Sequence, residues 1–201
     1  MTGGVMIGWV RPLMVHGDFM DSVLLEASRA GAKTIGKFSE PHVDQARNWV
    51  VDQFMASDCE WFLSVDTDII LPELVIQRLL ARRQKLIGAL VYVNAEPVFP
   101  QIYNKIADFG FAGAGQYLVN ESWEPGALVK ADATGAGCLL IHRDVFTKIP
   151  GDSPFRWFQH EFEGTHLFGE DFTFCRRARS VGFQLYIDTA VKAGHIKTRV
   201  I

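Results

Sequence analysis

Trp61-Phe-Leu-Ser-Val-Asp66-Thr-Asp68-Ile-Ile-Leu-Pro72 places two carboxylates two residues apart at the end of an apolar, strand-like run. Residues i and i+2 of a strand share a face, so the spacing predicts Asp66 and Asp68 side by side next to a buried segment. Such a pair is costly unless one carboxyl takes a proton or a cation neutralises both. A hard divalent ion, Mg²⁺ or Mn²⁺, suits oxygen ligands and commonly completes its shell with substrate phosphates. The alternative is a strand-to-helix loop with Asp68 as a cap, because Pro72-Glu73 reads as a first helical turn.

Outward from this stretch, strands and helices alternate. Val5–Val10 reads as a strand ending at Arg11-Pro12, followed by a helix to about Ala30 with Gly31 as its stop. Lys33–Phe38 reads as a second strand, 41–56 as a helix, 72–83 as a helix and 86–93 as a strand. That alternation predicts an α/β domain with a mostly parallel central sheet and helices on both faces. In such sheets ligands gather at the carboxyl ends of strands, where Arg11, Asp66 and Asp68 fall. Phe109–Tyr117 and Trp123–Gly126 are rich in turn residues and predict a small antiparallel insertion. The run 128–141, interrupted by Gly135 and Gly137, is strand-like on both sides, and 143–149 reads as a short helix. The stretch 150–169 reads as a long polar and aromatic loop, 170–180 as a helix ending at Gly182, and 183–187 as a last strand.

A chain of 201 residues is most simply one domain, with a first region of about 1–95 and a second of about 96–201. The formal net charge of −3 does not describe a polyelectrolyte-binding surface. The basic runs Arg78, Arg82, Arg83, Lys85 and Arg176, Arg177, Arg179 read as solvated helix faces. Three scattered cysteines, Cys59, Cys138 and Cys175, form neither a disulfide framework nor a zinc motif. A reducing, cytoplasmic setting is the expectation. No signal peptide and no membrane-spanning run is evident.

Four further constellations carry chemistry. Arg47 shares a helical stripe with Val43, Val50 and Phe54, and an arginine on an apolar face needs a partner. A carboxylate across the core and a nucleotide phosphate are both readings of it. Gly135-Ala136-Gly137 marks either tight strand packing or close approach of a ligand to bare backbone. Glu170-Asp171 opens a helix, where acids complement the helix dipole, but it also ends a long loop, where a carboxylate can take a proton from a hydroxyl. His195 follows Gly194 near the end of a strand and is either a surface histidine or a metal ligand. His160-Glu161 is not a zinc-protease motif, because Gly164 stands where the second histidine belongs, and no P-loop or nucleophile elbow is present.

Taken in order, Ala46-Arg47-Asn48, Phe62–Asp68, Thr134–Phe146, Gly169-Glu-Asp171-Phe-Thr-Phe-Cys-Arg-Arg-Ala, and Tyr186-Ile-Asp188 through Gly194-His195 resemble the GT-A glycosyltransferases, especially compact family-2-like members of bacteria and phages. The resemblance spans nearly the whole chain. It implies a Rossmann-like nucleotide-diphospho-sugar transferase fold. It also implies Mn²⁺ or Mg²⁺ held on the donor diphosphate by Asp68, with Asp66 in support and His195 as the late ligand. Arg11, Pro12, Arg47 and Thr67 would lie against the nucleotide, and Gly135, Ala136 and Gly137 against the donor sugar. Asp171 would be the base of an inverting transfer, supported by Glu170, with Lys197 and Arg199 near the departing diphosphate. The donor would be a nucleotide-diphosphate sugar, UDP-linked by family habit. The acceptor, whether protein, glycan, lipid or hydroxylated phage DNA base, would meet Trp157 and Phe158 as a stacking surface. Two other classes fit some of the same residues. One is an aspartate-nucleophile phosphatase, which Asp66-Thr-Asp68 mimics; the other is a sugar-nucleotide-binding protein without turnover.

Overall fold

Apolar residues on alternate positions of Val5–Arg11 (β1) face two different cores: Met6 looks one way, Val5, Ile7 and Trp9 the other. A strand that is apolar on both faces must be covered on both, and the computed structural model shows that covering. It describes residues 3–39, 42–93, 96–105, 117–151, 156–163 and 166–196. The chain runs β1, Gly17–Ala30 (α1), Lys33–Phe38 (β2), Val43–Met55 (α2), Trp61–Val65 (β3), Ile69–Ile70 (β4), Val75–Ala81 (α3) and Leu86–Leu90 (β5). It continues through Tyr103–Lys105 (β6), Tyr117–Val119 (β7), Leu128–Ala131 (β8), Cys138–His142 (β9), Arg143–Lys148 (α4), Glu161–Glu163 (β10), His166–Phe168 (β11), Glu170–Ser180 (α5), Leu185–Lys192 (β12) and Gly194–His195 (β13).

A seven-stranded sheet in the order β2-β1-β3-β9-β5-β12-β8 forms the middle layer. β1 pairs in parallel with β2 and β3, and β12 with β5; β9 runs antiparallel to β3 and β5, and β8 antiparallel to β12. Five strands therefore point one way, so their carboxyl ends share one edge. One core packs α2, α4 and α5 against the sheet through Val50, Phe54, Phe146 and Phe174; the other packs α1 and α3 through Phe19, Val23, Ile76 and Leu79.

Helix ends follow local chemistry. α1 stops where Gly31 adopts φ 60 and its N–H returns to Ala27 O. α2 is closed by Arg143, whose guanidinium donates to the carbonyls of Phe54, Met55, Ser57 and Cys59 at 2.7–3.0 Å. The helix expected from Pro72 begins only at Val75. Leu74 is left-handed at φ 58 and its N–H is held by the buried Glu26 carboxylate at 2.9 Å, so the turn before it is set by α1 and not by Pro72. The last sheet strand starts later and runs longer than expected, because β8 and β5 pair it on both sides.

Two further differences bear on function. The stretch 150–169 is not uniformly loop: β10 and β11 form an antiparallel hairpin within it. The expected insertion is flanked by the antiparallel pair β6–β7, while residues 106–116 lie outside the described residues. Among the described residues no helix is long and apolar enough to cross a membrane.

Candidate functional site

β3 ends at Val65, and the chain then turns. Ile69 N–H bonds back to Asp66 O at 3.0 Å, while Asp66 N–H bonds across to Gly137 O at 3.1 Å. Asp66 and Asp68 are therefore members of a turn, not alternate residues of a strand, and the premise of two carboxylates sharing one face is corrected. Each has its own partner. Asp66 Oδ1 lies 2.7 Å from Arg47 Nη2, and Asp68 Oδ2 lies 3.0 Å from His195 Nε2.

Arg47 is the hub on one side. It is 7% exposed on α2, and its Nε also faces Glu170 Oε1 at 3.3 Å and Asp171 Oδ1 at 3.6 Å. Both carboxylates come from the first turn of α5. The three acids hold the guanidinium firmly charged, overriding the burial that opposes it. The core-carboxylate reading of Arg47 is thus what the contacts show. Asp171 Oδ2 accepts the Ala136 N–H at 3.1 Å, and its Oδ1 accepts no hydrogen bond. Burial pushes the Asp171 carboxyl up to about 6, with Arg47 acting in the opposite direction and too weak to cancel it.

The segment Gly135-Ala136-Gly137 links both halves of this cluster. Its middle N–H holds Asp171 and its last carbonyl holds the Asp66 turn. A Cβ at Gly135 would come 2.4 Å from Gln101 Oε1, and one at Gly137 would come 3.3 Å from Asp66 Oδ2. The glycines accommodate close approach of the protein's own side chains.

On the other side, His195 sits in β13, which pairs with β4 so that His195 lies opposite Ile69. Its Nδ1 is 2.6 Å from the Tyr92 carbonyl. A carbonyl only accepts, so Nδ1 carries the proton, and a neutral ring then turns an Nε2 lone pair toward the Asp68 carboxylate. Two acceptors at 3.0 Å call for a positive charge, either a proton or a metal ion. Among the described residues no three His, Cys, Asp or Glu side chains gather closely enough to hold an ion by themselves. One carboxylate and one oriented imidazole fit an ion that takes its remaining ligands from a substrate.

Arg11 ends β1 and Pro12 follows it, at the same sheet edge as Thr67. Arg11 is half-buried and stacks over Phe38, its partner across β2, at 5.9 Å. Lys197, with Arg199, lies outside the described residues. Trp157 and Phe158 are not a stacking surface: they are 3% and 1% exposed. Asn48 pulls them inward, its Oδ1 accepting both backbone N–H groups at 3.0 and 3.1 Å and its Nδ2 donating to Phe158 O at 2.6 Å. Phe158 then stacks on Phe174 in the core.

Sequence reasoning missed His160, which spans Asp44 at 3.6 Å and Glu170 at 3.4 Å. It also missed Tyr92, whose contribution is a backbone carbonyl and leaves no residue-type signal. His160-Glu161 stands out in the sequence only as a fragment of a motif that the chain lacks.

No protein-family model matches the chain, and no curated protein matches it in sequence. Similarity appears at the level of structure. The chain superposes on the crystal structure of A197 from STIV with a TM-score of 0.66 and 16% identity, over 97% of this chain and 86% of that one. It superposes on the crystal structure of GalNAc-T7 with UDP, GalNAc and Mn²⁺ with a TM-score of 0.61 and 13% identity, over 98% of this chain but 44% of that one. At these identities the likeness is one of fold, and that fold is the mixed α/β fold of the GT-A glycosyltransferases.

Proposed function

We propose that the protein is a metal-dependent glycosyltransferase that moves a hexose from a nucleotide-diphosphate sugar, UDP-linked in the first instance, to an acceptor hydroxyl. The observation that carries this reading is the meeting at one sheet edge of two acid-bearing half-sites, joined by the turn that carries Asp66 and Asp68. One is the oriented Asp68–His195 couple; the other is the Arg47 cluster with Asp171 held by Ala136 N–H.

In this reading Asp68 and His195 hold Mn²⁺ or Mg²⁺, with Asp66 shaping the turn that carries Asp68. The ion offsets charge on the departing diphosphate. Arg11, Pro12 and Thr67 flank the nucleotide, Arg11 and Phe38 offering a stacked platform, and Lys197 adds positive charge near the phosphates. Residues of about 1–95 form the nucleotide-binding part and those of about 96–201 the acceptor and catalytic part, within one domain. Asp171 acts as the base of an inverting transfer. The acceptor oxygen bonds to the anomeric carbon, the bond from that carbon to the diphosphate oxygen breaks, and the acceptor proton passes to the Asp171 carboxylate. A carboxyl raised to about 6 is largely ionised at neutral pH and is a stronger base than an ordinary aspartate. Glu170 supports it through Arg47, and His160 through Glu170.

The test is donor binding and hydrolysis across UDP-, GDP- and dTDP-sugars, with Mn²⁺ and with chelator, for the wild type and Asp68→Asn. Metal-dependent turnover of one donor, lost in Asp68→Asn, supports the reading. Donor binding without product or hydrolysis points to a binding protein, and no binding to any donor removes the reading.

A further inference from the structure

Gln101 lies between the two half-sites and is used by neither. Its backbone is fixed on both sides. Gln101 N–H donates to Val91 O at 2.8 Å; the next residue, Tyr92, is bridged to Pro100 and supplies the carbonyl that holds His195. In the other direction Gln101 O accepts the Thr134 hydroxyl at 2.7 Å, and two residues beyond Thr134 the Ala136 N–H holds Asp171. Pro100 and Ile102 on either side are buried, while Gln101 is half-buried. This segment ties the Asp68–His195 couple to the Asp171 cluster.

The Gln101 side chain lies against Gly135, where a Cβ would run into its amide. Gly135 has no left-handed φ, so what the glycine supplies is room for this amide and not a special backbone conformation. Among the described residues the amide makes no hydrogen bond of its own. It carries two N–H donors and a carbonyl acceptor, and a sugar hydroxyl is likewise both donor and acceptor. In a displacement at an anomeric carbon the departing diphosphate sits at the metal ligands and the acceptor oxygen at the base. The transferred hexose then spans the gap between Asp68–His195 and Asp171, and Gln101 stands at that gap.

We propose that Gln101 grips the transferred sugar, its amide exchanging hydrogen bonds with a hexose hydroxyl. This assignment rests on the transferase reading above and adds to it a residue that selects among donors. A site built to bond a hydroxyl discriminates well, because a hexose that misplaces the hydroxyl leaves the amide unpaired.

The experiment is calorimetric titration, in Mn²⁺, of UDP, GDP and dTDP and of their glucose, galactose and N-acetylglucosamine conjugates. It compares the wild type with Gln101→Met, Gln101→Ala, Gly135→Ala and Gly135→Ala/Gln101→Ala, each checked for an unchanged thermal melt. Gln101→Met keeps the length of the side chain and loses the amide. It is expected to raise Kd for the conjugate that the wild type binds best about tenfold, drawing the conjugates closer together, and to leave Kd for the bare nucleoside diphosphate unchanged. Gly135→Ala is expected to weaken the same conjugate by displacing the amide, and to add nothing when Gln101 is already alanine. Wild-type affinity for the conjugate in Gln101→Met, or an equal loss for the bare diphosphate, overturns the proposal. So does a Gly135→Ala cost that persists in the Gln101→Ala background, which would mean that Gly135 itself meets the sugar. Failure of the wild type to bind any nucleoside diphosphate or conjugate removes the transferase reading and this assignment with it. Metal-dependent donor binding that is unaffected by Gln101→Met overturns the assignment alone and leaves that reading standing.

Discussion

Arg47 Nη2 and Asp66 Oδ1 lie 2.7 Å apart, joining the middle of α2 to the turn after β3, and the same guanidinium faces both acids that open α5. One buried cation therefore orders three carboxylates contributed by two different segments of the chain.

Removing that cation leaves those acids without compensation. Arg47→Ala is expected to destabilise the fold by about 3–5 kcal/mol, as breaking one partner of a buried ion pair does. Arg47→Lys recovers only some of this, because an ammonium cannot fork between Asp66 and Glu170. Urea denaturation of the three proteins reads both differences; equal midpoints would show that the cluster contributes nothing to stability.

Asp171 gives a pH signature whose sign is determined by its raised carboxyl. A group raised from 3.8 to about 6 in the folded state contributes stability that is fully present below 3.8 and is lost as pH rises through about 6. Asp171→Asn stays neutral, so its stability relative to the wild type is expected to increase from pH 4 to pH 6 and level off above. Transfer by the wild type is expected to rise with pH through about 6 and to be absent in the variant. Parallel stability curves would show that the carboxyl is not raised, and retained transfer would remove Asp171 from the base role.

Asp68→Asn and His195→Ala are expected to weaken Mn²⁺ affinity in the presence of a UDP-sugar by about tenfold to a hundredfold each. Calorimetric titration checks this. An unchanged metal isotherm in His195→Ala would mean that its bond to Tyr92 O orients the ring for a structural purpose only.

Asn48 makes three hydrogen bonds to the backbone at 157–158 and one to Asp44 O, all within the core side of α2. Asn48→Ala leaves those buried groups unsatisfied and is expected to cost about 3 kcal/mol. It is also expected to make Trp157 accessible to fluorescence quenching, and unchanged quenching would show that core stacking alone holds the segment.

Cys138 and Cys175 are fully enclosed, and burial pushes both thiols up to about 12. Neither is expected to react with a thiol reagent at pH 8 until the protein unfolds, so their labelling rate tracks global opening. Rapid labelling of the native protein would contradict their enclosure.

Local chemistry is enough to establish the alternation of strands and helices, the stop of α1 at Gly31, the apolar stripe of α2 and the placement of Arg11, Asp66 and Asp68 near strand ends. All of these depend on periodicity and on the residues at element ends, which are properties of short segments. The same periodicity puts Arg47 on a buried stripe, so its need for a partner is legible although the partner is not. Tertiary contacts alone select Asp66, Glu170 and Asp171, because choosing among many acids requires knowing which loops meet at the sheet edge. Asp66 and Asp68 read either as strand positions sharing a face or as a strand-to-helix loop, and the choice is made by β13, more than a hundred positions away, which pairs with β4 while Ile196 N–H donates to Asp68 O. Trp157 and Phe158 read as a surface because their loop is polar, yet Asn48, more than a hundred positions away, draws their backbone into the core. Long-range hydrogen bonds of this kind have no period and no motif, so they become visible only once the chain is folded.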